Sequence, residues 1–518
     1  MTYRIGIDVG GTHTDAVILN HQQELVAKVK TATTEDIGTG IGKAISSCLE
    51  RSGIDPSQVT HAMLGTTHCT NAIVERNGLS KIGVIRIGAP ATLAIPPFTG
   101  WPNELLEAVY VGSLIVSGGH EFDGQRIAAL DEMAIRQTGR EWKGKVAAIA
   151  ITSVNSPVDT VDEKRAMDIL REELGDDVHF SLSYEIGSIG LLERENATVL
   201  NASLVEAAQK MVDGFERSLA ENGISAAQVF LSQNDGTLMR SSYALRFPVL
   251  TIASGPTNSI RGAAFLSNEQ NALVIDVGGT TTDIGVLVQG FPRESSMVAE
   301  IGGVRTNFRM PDLLSFGLGG GTHIRNLGKE VQVGPDSVGY MLPQKGLIFG
   351  GDVLTATDIA VAYGQTELGD PAKVAHLQSE NVGTAYRHMI ELVEEAIDKM
   401  KTSADPVPAI LVGGGSIILP DELVGVSEVI RPANFDVANA IGVTIAQVSG
   451  QIEKIYSMAD WKREDTLNDA KLLATCEAVA AGARLESVEI VDMEEVPLAY
   501  LPGNAVRVRV KAVGSLSI

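Results

Sequence analysis

Two periodicities alternate along the chain. Short apolar runs of strand length end in glycine, aspartate or threonine, and between them apolar residues recur at helical spacing. Residues 3–7, 15–20 and 24–30 form three such runs and predict a strand meander. A helix is expected next, over 34–51, with Ile41, Ala44, Ile45 and Cys48 on one face. Further strands are expected at 59–64, 81–87, 145–151, 179–184, 228–232 and 409–412. Helices are expected over 161–174, from about 197 to 219, and over 372–402, 434–456 and 462–482. The last stretch, 487–511, alternates as two strands joined at Leu501-Pro502-Gly503-Asn504.

One strand-turn-strand unit occurs twice. Residues 8–15 read DVGGTHTD and residues 276–283 read DVGGTTTD, differing only at His13 against Thr281. Each lies between two apolar runs, so each predicts a hairpin with an aspartate where the first strand stops. Paired glycines let backbone N–H groups approach an anion with no Cβ in the way. Thr12 and Thr14, like Thr280 and Thr282, add hydroxyls suited to phosphate oxygens. Asp8 and Asp276 are hard oxygen groups suited to Mg²⁺, directly or through its waters. A single hairpin of this kind also makes an ordinary tight turn. Two near-identical ones point to a duplicated fold whose halves clamp one polyphosphate from opposite sides.

Other glycine-rich stretches divide. Gly413-Gly414-Gly415 follows the run 409–412 directly, and glycine at the carboxyl end of a strand suits a flat adenine or a ribose. The stretch 38–43, GTGIGK, imitates a P-loop, but its glycine spacing is one residue short and Ala44 stands where a hydroxyl should bind Mg²⁺. It reads as helix. Gly65-Thr66-Thr67, at a strand-to-helix junction, allows an anion site at the helix N-terminus or simple capping by either threonine. Ser254 is placed to cap a later helix. His61 and His68 read as structural or surface residues. His120, Glu121 and Asp123 read as a polar turn, because one short run rarely supplies convergent metal ligands.

Composition narrows the partners. A chain of 518 residues holds about two to four domains and a large core. A net charge of -23 argues against nucleic acid or an anionic membrane. It leaves room for ATP at a local site built from backbone N–H groups and Mg²⁺. Three cysteines with no C-x-x-C pair imply a reducing compartment. With no leader-like start and no apolar run near the roughly 20 residues of a membrane span, a cytoplasmic protein is expected.

The two hairpins and the late GGG loop, in this order, resemble the actin-like ATPase superfamily. That resemblance implies an α/β fold of two ribonuclease-H-like domains, mixed sheets around a nucleotide cleft. Within it the chain is similar to the hydantoinase/oxoprolinase family, specifically its ATP-binding A subunit (N-methylhydantoinase A or 5-oxoprolinase type). The motifs are DVGGTHTDAVI at the start, GTTHCTNAIVERNG at 65–78, ERENATVLNA at 193–202 and SQNDGTLM at 232–239. Ser254-Gly255-Pro256, GLGGGTHI at 317–324, VGPDSVG at 333–339, LTATDIAVAYG at 354–364 and ANAIGVTIAQVSG at 438–450 follow in the family order. The likeness covers roughly residues 2–450. The last residues depart from it, and family A subunits are usually longer.

The resemblance implies N-terminal and second halves at 1–180 and 181–457, with 458–518 a small C-terminal cap. It implies an ATP-dependent hydrolase that opens 5-oxoproline, a hydantoin or a related lactam by phosphorylating the amide carbonyl. Related carboxylases act on ketones. A separate or fused B-type partner subunit is expected, and a homo-oligomer is allowed. Asp8, Asp276, Thr12 and Thr280 are the expected catalytic residues, the two aspartates with Mg²⁺. Gly10, Gly11, Thr12, Thr14, Gly278, Gly279, Thr280 and Thr282 are expected at the phosphates, and Gly413, Gly414 and Gly415 at adenosine. Asp15 and Asp283 either support those aspartates or shape the turns. Thr66, Thr67, Asn71 and the loop 319–321 are expected on the substrate side. Two rivals share the fold: a sugar or small-acid kinase, and a non-catalytic ATP/ADP switch acting on a partner.

Overall fold

The computed structural model describes residues 2–33, 37–187, 189–295, 299–307, 310–498 and 504–516. The expected start of the first helix at 34–36 and the turn at 501–503 lie outside them. Tyr3–Val9 (β1) pairs antiparallel with His13–Asn20 (β2), which pairs antiparallel with Leu25–Ala32 (β3). Val59–Thr66 (β4) joins β1 in parallel, and Gln228–Ser232 joins β4 in parallel. The second half repeats this plan. Ala272–Val277 pairs antiparallel with Thr282–Val288, which pairs antiparallel with Leu313–Phe316. Val407–Val412 and then Val426–Ile430 extend it in parallel. Each half is therefore a ribonuclease-H-like mixed sheet with a hairpin at its centre.

The first sheet grows beyond its half and reaches nine strands among the described residues. Leu238–Arg240, Val448–Tyr456, Val506–Gly514 and Glu489–Pro497 complete it. Its membership therefore cuts across the divisions expected at 180 and 457, and the terminal hairpin is an edge of that sheet. Helix Arg463–Ala481 covers this edge through Ala470, Ala474 and Ala478. Gly450 is needed there, because a Cβ would stand 2.0 Å from the Ala478 nitrogen.

A separate four-stranded parallel sheet is inserted after β4, in the order Tyr110–Ser117, Ile82–Ala89, Ala148–Ser153, His179–Leu182. Its central strands are near-continuous apolar runs, as burial on both faces requires.

Two helices, Ser254–Ser267 and Ala438–Ile445, cross between the main sheets. They touch through backbone: a Cβ on Gly262 would lie 1.8 Å from the Ala438 carbonyl oxygen, and one on Gly442 1.9 Å from that of Asn258. Gly6 of β1 makes room for a side chain instead: an added Cβ would lie 1.7 Å from Thr444 Oγ1.

The structure departs from the expected elements at two main places. The expected helix 434–456 is the helix Ala438–Ile445 followed by the strand Val448–Tyr456. Ala446 turns extended, and pairing with strands on both sides outweighs local helix propensity. The expected long helix beginning near 197 is two helices, Leu191–Ser203 and Val205–Glu221, meeting at Leu204.

Candidate nucleotide and phosphoryl-transfer site

The repeated hairpins face one another. The Cβ direction of Gly279 points 3.4 Å from Thr12 Oγ1, and that of Gly339 lies 3.5 Å from the Thr12 methyl and 3.6 Å from Thr280 Oγ1. Each turn closes on itself by one bond, Gly10 N–H to the His13 carbonyl at 2.9 Å and Gly278 N–H to the Thr281 carbonyl at 2.9 Å. The N–H groups of Gly11, Thr12, Gly279 and Thr280 have no backbone partner among the described residues. Four unpaired donors on two apposed turns make an anion cradle.

Asp8 and Asp15 stand opposite each other on β1 and β2, as Asp276 and Asp283 do on the second hairpin. Asp8 is buried, and the crossing helices hold both its oxygens. Asn258 Nδ2 donates to Oδ1 at 3.0 Å and Asn439 Nδ2 donates to Oδ2 at 2.9 Å. Ser259, beside Asn258, donates its hydroxyl to Asp276. One helix therefore fixes the aspartates of both hairpins.

Burial pushes the Asp8 carboxyl up to about 7, with neighbouring Asp15 and Asp276 adding to it and the two amides opposing. Burial also raises Asp276. Asp283 is pushed up to about 6 by burial, against a hydrogen bond from Ser315. Lys30 Nζ reaches Asp15 Oδ2 at 2.9 Å, while Asp15 Oδ1 is buried with no hydrogen-bond partner. Raised, desolvated carboxylates beside an orphaned oxygen fit a bound cation. No group of three or more His, Cys, Asp or Glu converges among the described residues.

The other expected residues separate into two groups. Thr12 and Thr280 lie at the tips, but the Thr14 and Thr282 hydroxyls point behind them. Thr14 Oγ1 meets Thr33 Oγ1 at 3.3 Å, and Thr282 donates to the Leu318 carbonyl at 2.6 Å. Both threonines are buried. The loop 319–321 backs the second hairpin: Gly320 and Gly321 N–H groups bond the Gly278 and Gly279 carbonyls at 3.1 and 2.8 Å. Gly413 and Gly415 press on the same hairpin, and their added Cβ atoms would meet Asp276 Oδ1 at 2.1 Å and the Gly278 carbonyl at 2.4 Å. Gly414 between them faces open space.

Thr66 accepts the His68 N–H at 3.1 Å, so its hydroxyl serves the helix start. Ser254 is the first helical residue and no cap; it donates to the Thr66 carbonyl at 3.3 Å. Gly65 lies under Asp8. Asn258, Ser259 and Asn439 were not expected from their types: Asn439 belongs to the segment 438–450, while Asn258 and Ser259 lie just beyond Ser254-Gly255-Pro256.

Two ribonuclease-H-like sheets with apposed glycine hairpins, crossed helices between them and a late GGG turn give the chain an actin-like ATPase fold. Within that class the chain belongs to the hydantoinase/oxoprolinase family: residues 4–174 match its N-terminal region and residues 194–405 its hydantoinase/oxoprolinase region. The caprolactamase subunit alpha of Pseudomonas jessenii is 27% identical over 396 residues, 70% of this chain and 54% of that protein. The acetophenone carboxylase gamma subunit of Aromatoleum aromaticum is also 27% identical over 396 residues, 70% of this chain and 53% of that protein. 5-Oxoprolinase 1 of Arabidopsis thaliana is 26% identical over 388 residues, 65% of this chain and 29% of that protein. The chain spans about half the length of the curated relatives it matches.

The crystal structure of the ATP-dependent caprolactamase from Pseudomonas jessenii has the same fold, with a TM-score of 0.77 at 21% identity, covering 99% of this chain and 88% of that one. Nucleotide-free acetone carboxylase gives 0.66 at 17%, with the same coverage. Among the described residues no helix is long and apolar enough to cross a membrane.

Proposed function

We propose that this chain is the ATP-binding subunit of an enzyme that opens a cyclic amide by phosphorylating its carbonyl oxygen. The observation that carries the reading is the pair of facing turns, with four unpaired N–H groups beside aspartates held by a common helix. Amide resonance makes a lactam a poor electrophile. Transfer of the γ-phosphoryl group breaks its bond to ADP and places phosphate on the carbonyl oxygen. Water then adds at carbon and the C–N bond breaks, leaving an acyl phosphate and the free amine; a second water cleaves the acyl phosphate to carboxylate and phosphate. One ATP and two waters give ADP, phosphate and the open amino acid.

The N–H groups of Gly11, Thr12, Gly279 and Thr280 hold the phosphates in line, and the hydroxyls of Thr12 and Thr280 assist. Gly414 leaves room for the adenosine. Asp8 and Asp276 would hold Mg²⁺, whose contribution is to neutralise phosphate charge. Relatives named as alpha, gamma and beta subunits support a partner subunit.

The test is phosphate release from ATP with Mg²⁺, with and without hydantoin, simple lactams and 5-oxoproline. A second arm supplies acetophenone with bicarbonate, because a carboxylase subunit is as similar to this chain as the caprolactamase subunit is. Stimulation by a cyclic amide is expected. Asp8→Ala and Asp276→Ala should each lose about a hundredfold or more in rate, on the scale of removing a charge-stabilising group. Wild-type rates in both variants would remove the assigned site, and stimulation by ketone and bicarbonate alone would replace the hydrolase reading.

A further inference from the structure

We propose that a cavity of about 650 Å³, whose inner wall adjoins the residues that hold Asp8, is the acceptor pocket, and that it selects an uncharged cyclic amide over a carboxylate-bearing one. The proposal rests on the cyclic-amide reading and adds a location and a charge preference to it.

The cavity lies outside the carboxyl ends of two strands of the small parallel sheet. Residues 157–160, after Ala148–Ser153, form one wall, and 184–187, after His179–Leu182, form another. Open α/β sheets place their ligands at such ends. The inner wall is Gln233 and Asn234, directly after Ser232. Asn258 Nδ2, which donates to Asp8, also reaches Ser232 Oγ at 3.3 Å, and Thr257 donates to the Gln233 carbonyl at 3.5 Å. The wall is therefore one residue from the hydrogen bonds that hold Asp8.

Its chemistry matches a neutral amide ring. Gln233 Nε2 donates to the Leu238 carbonyl at 3.1 Å and Asn234 Nδ2 to Met310 Sδ at 3.5 Å, so the wall is a fixed polar amide surface, and Leu250 and Met310 add apolar surface for ring methylenes. Oε1 of Glu453 has no hydrogen-bond partner, and Arg507 Nη1 stands 3.9 Å away.

The charges disfavour an anion. Six carboxylates line the cavity against three cations. Arg246 is tied to Glu185, and Lys454 Nζ to Asp469 at 3.0 Å. Lys164 lies over the Tyr184 ring at 5.3 Å. The carboxylates of Asp235 and Glu294 are answered from behind the wall by Lys511, at 2.9 and 3.3 Å. Glu294 is also paired with Arg509 and Glu453 with Arg507, so a substrate carboxylate entering this space meets Asp159 and Glu477 against Lys164.

Binding of hydantoin, 2-piperidinone and 5-oxoproline to the full chain, followed by ligand-observed NMR without nucleotide, tests the proposal. The neutral amides should bind, and 5-oxoproline at least about tenfold more weakly. Asn234→Leu should weaken the neutral amides about tenfold by removing a hydrogen-bonding wall. Glu453→Gln, which keeps size and polarity, should narrow the gap to 5-oxoproline and serves where the first variant fails to fold. No binding, a preference for 5-oxoproline, or neutral-amide affinities unchanged in both variants would overturn the pocket. Amide-stimulated phosphate release unaffected by both substitutions would remove the cavity and keep the hydrolase reading. Neutral-amide binding sensitive to both, without stimulated phosphate release, would keep the cavity and remove that reading.

Discussion

Asp8 is held by the amides of Asn258 and Asn439, and its neighbour Gly65 has no freedom to change. A Cβ on Gly65 would stand 2.2 Å from Asp8 Oδ1 and 2.4 Å from Asn258 Nδ2. Gly65→Ala must therefore part Asp8 from Asn258, and ATP turnover should fall about tenfold or more as positioning is lost. Steady-state phosphate release beside circular dichroism of the variant checks this; unchanged turnover in a folded variant would disprove it.

Asp283 gives a pH signature. Folded, its carboxyl is pushed up to about 6, while in the unfolded chain it titrates near 4, roughly its ordinary value. Between those values the folded state binds more protons, so stability falls as pH rises from about 4 to 6. Asp8, at about 7, acts in the same sense over a wider window. Asp283→Asn keeps an acceptor for Ser315 and removes the titration. Its Tm should decline less than that of the wild type between roughly pH 4.5 and 6.5, and parallel Tm curves would contradict the assignment. The hairpin residues were legible because their types repeat at fixed spacing. Asn258, Ser259 and Asn439 were not, since polar residues in a helix look the same whether they face solvent or a buried carboxylate.

At the scale of elements, the hairpins and the GGG turn follow from local pattern, and the crossed helices do not. Their contact is backbone on backbone at Gly262 and Gly442, and glycine inside a helix gives no sign of what approaches it. Gly442→Ala puts a methyl where the Asn258 carbonyl oxygen lies. It should cost about 1–3 kcal/mol by overpacking and slow ATP turnover too, because Asn258 and Asn439 ride on these helices. Denaturant unfolding read beside phosphate release separates the two effects; full stability would show that the helices do not meet as closely as described. The strand Val448–Tyr456 was misread as helix for a related reason. Its partners are the terminal strand Val506–Gly514 and, through Val448, Leu238–Arg240, and none is near in sequence.

At the scale of the molecule, the terminal hairpin closes the long sheet and carries charge into it. Lys511 is buried and bonds Asp235 and Glu294, while Arg509 pairs with Glu294. Burial alone would raise Asp235 and lower Lys511; their attraction, with the Thr237 hydrogen bonds to Asp235, outweighs it, holding Asp235 below and Lys511 above the usual ranges. Alternating residues predicted the hairpin, but the chemistry at its far end depends on residues 235 and 294, which only the fold brings to it. Lys511→Met leaves two carboxylates without their shared cation and should destabilise the protein by about 3–5 kcal/mol, the range for breaking a buried pair. Asp235→Asn in the same chain removes one of those charges, so the double variant should be more stable than Lys511→Met alone, with a coupling of about 0.5–3 kcal/mol. Because Asp235 follows Gln233 and Asn234, Lys511→Met should also weaken amide binding, and the double variant should recover part of it. Urea unfolding of the four-member cycle decides the point: additive costs would mean that the terminal strand holds the sheet by backbone pairing alone, with its lysine contributing nothing to the wall of the cavity.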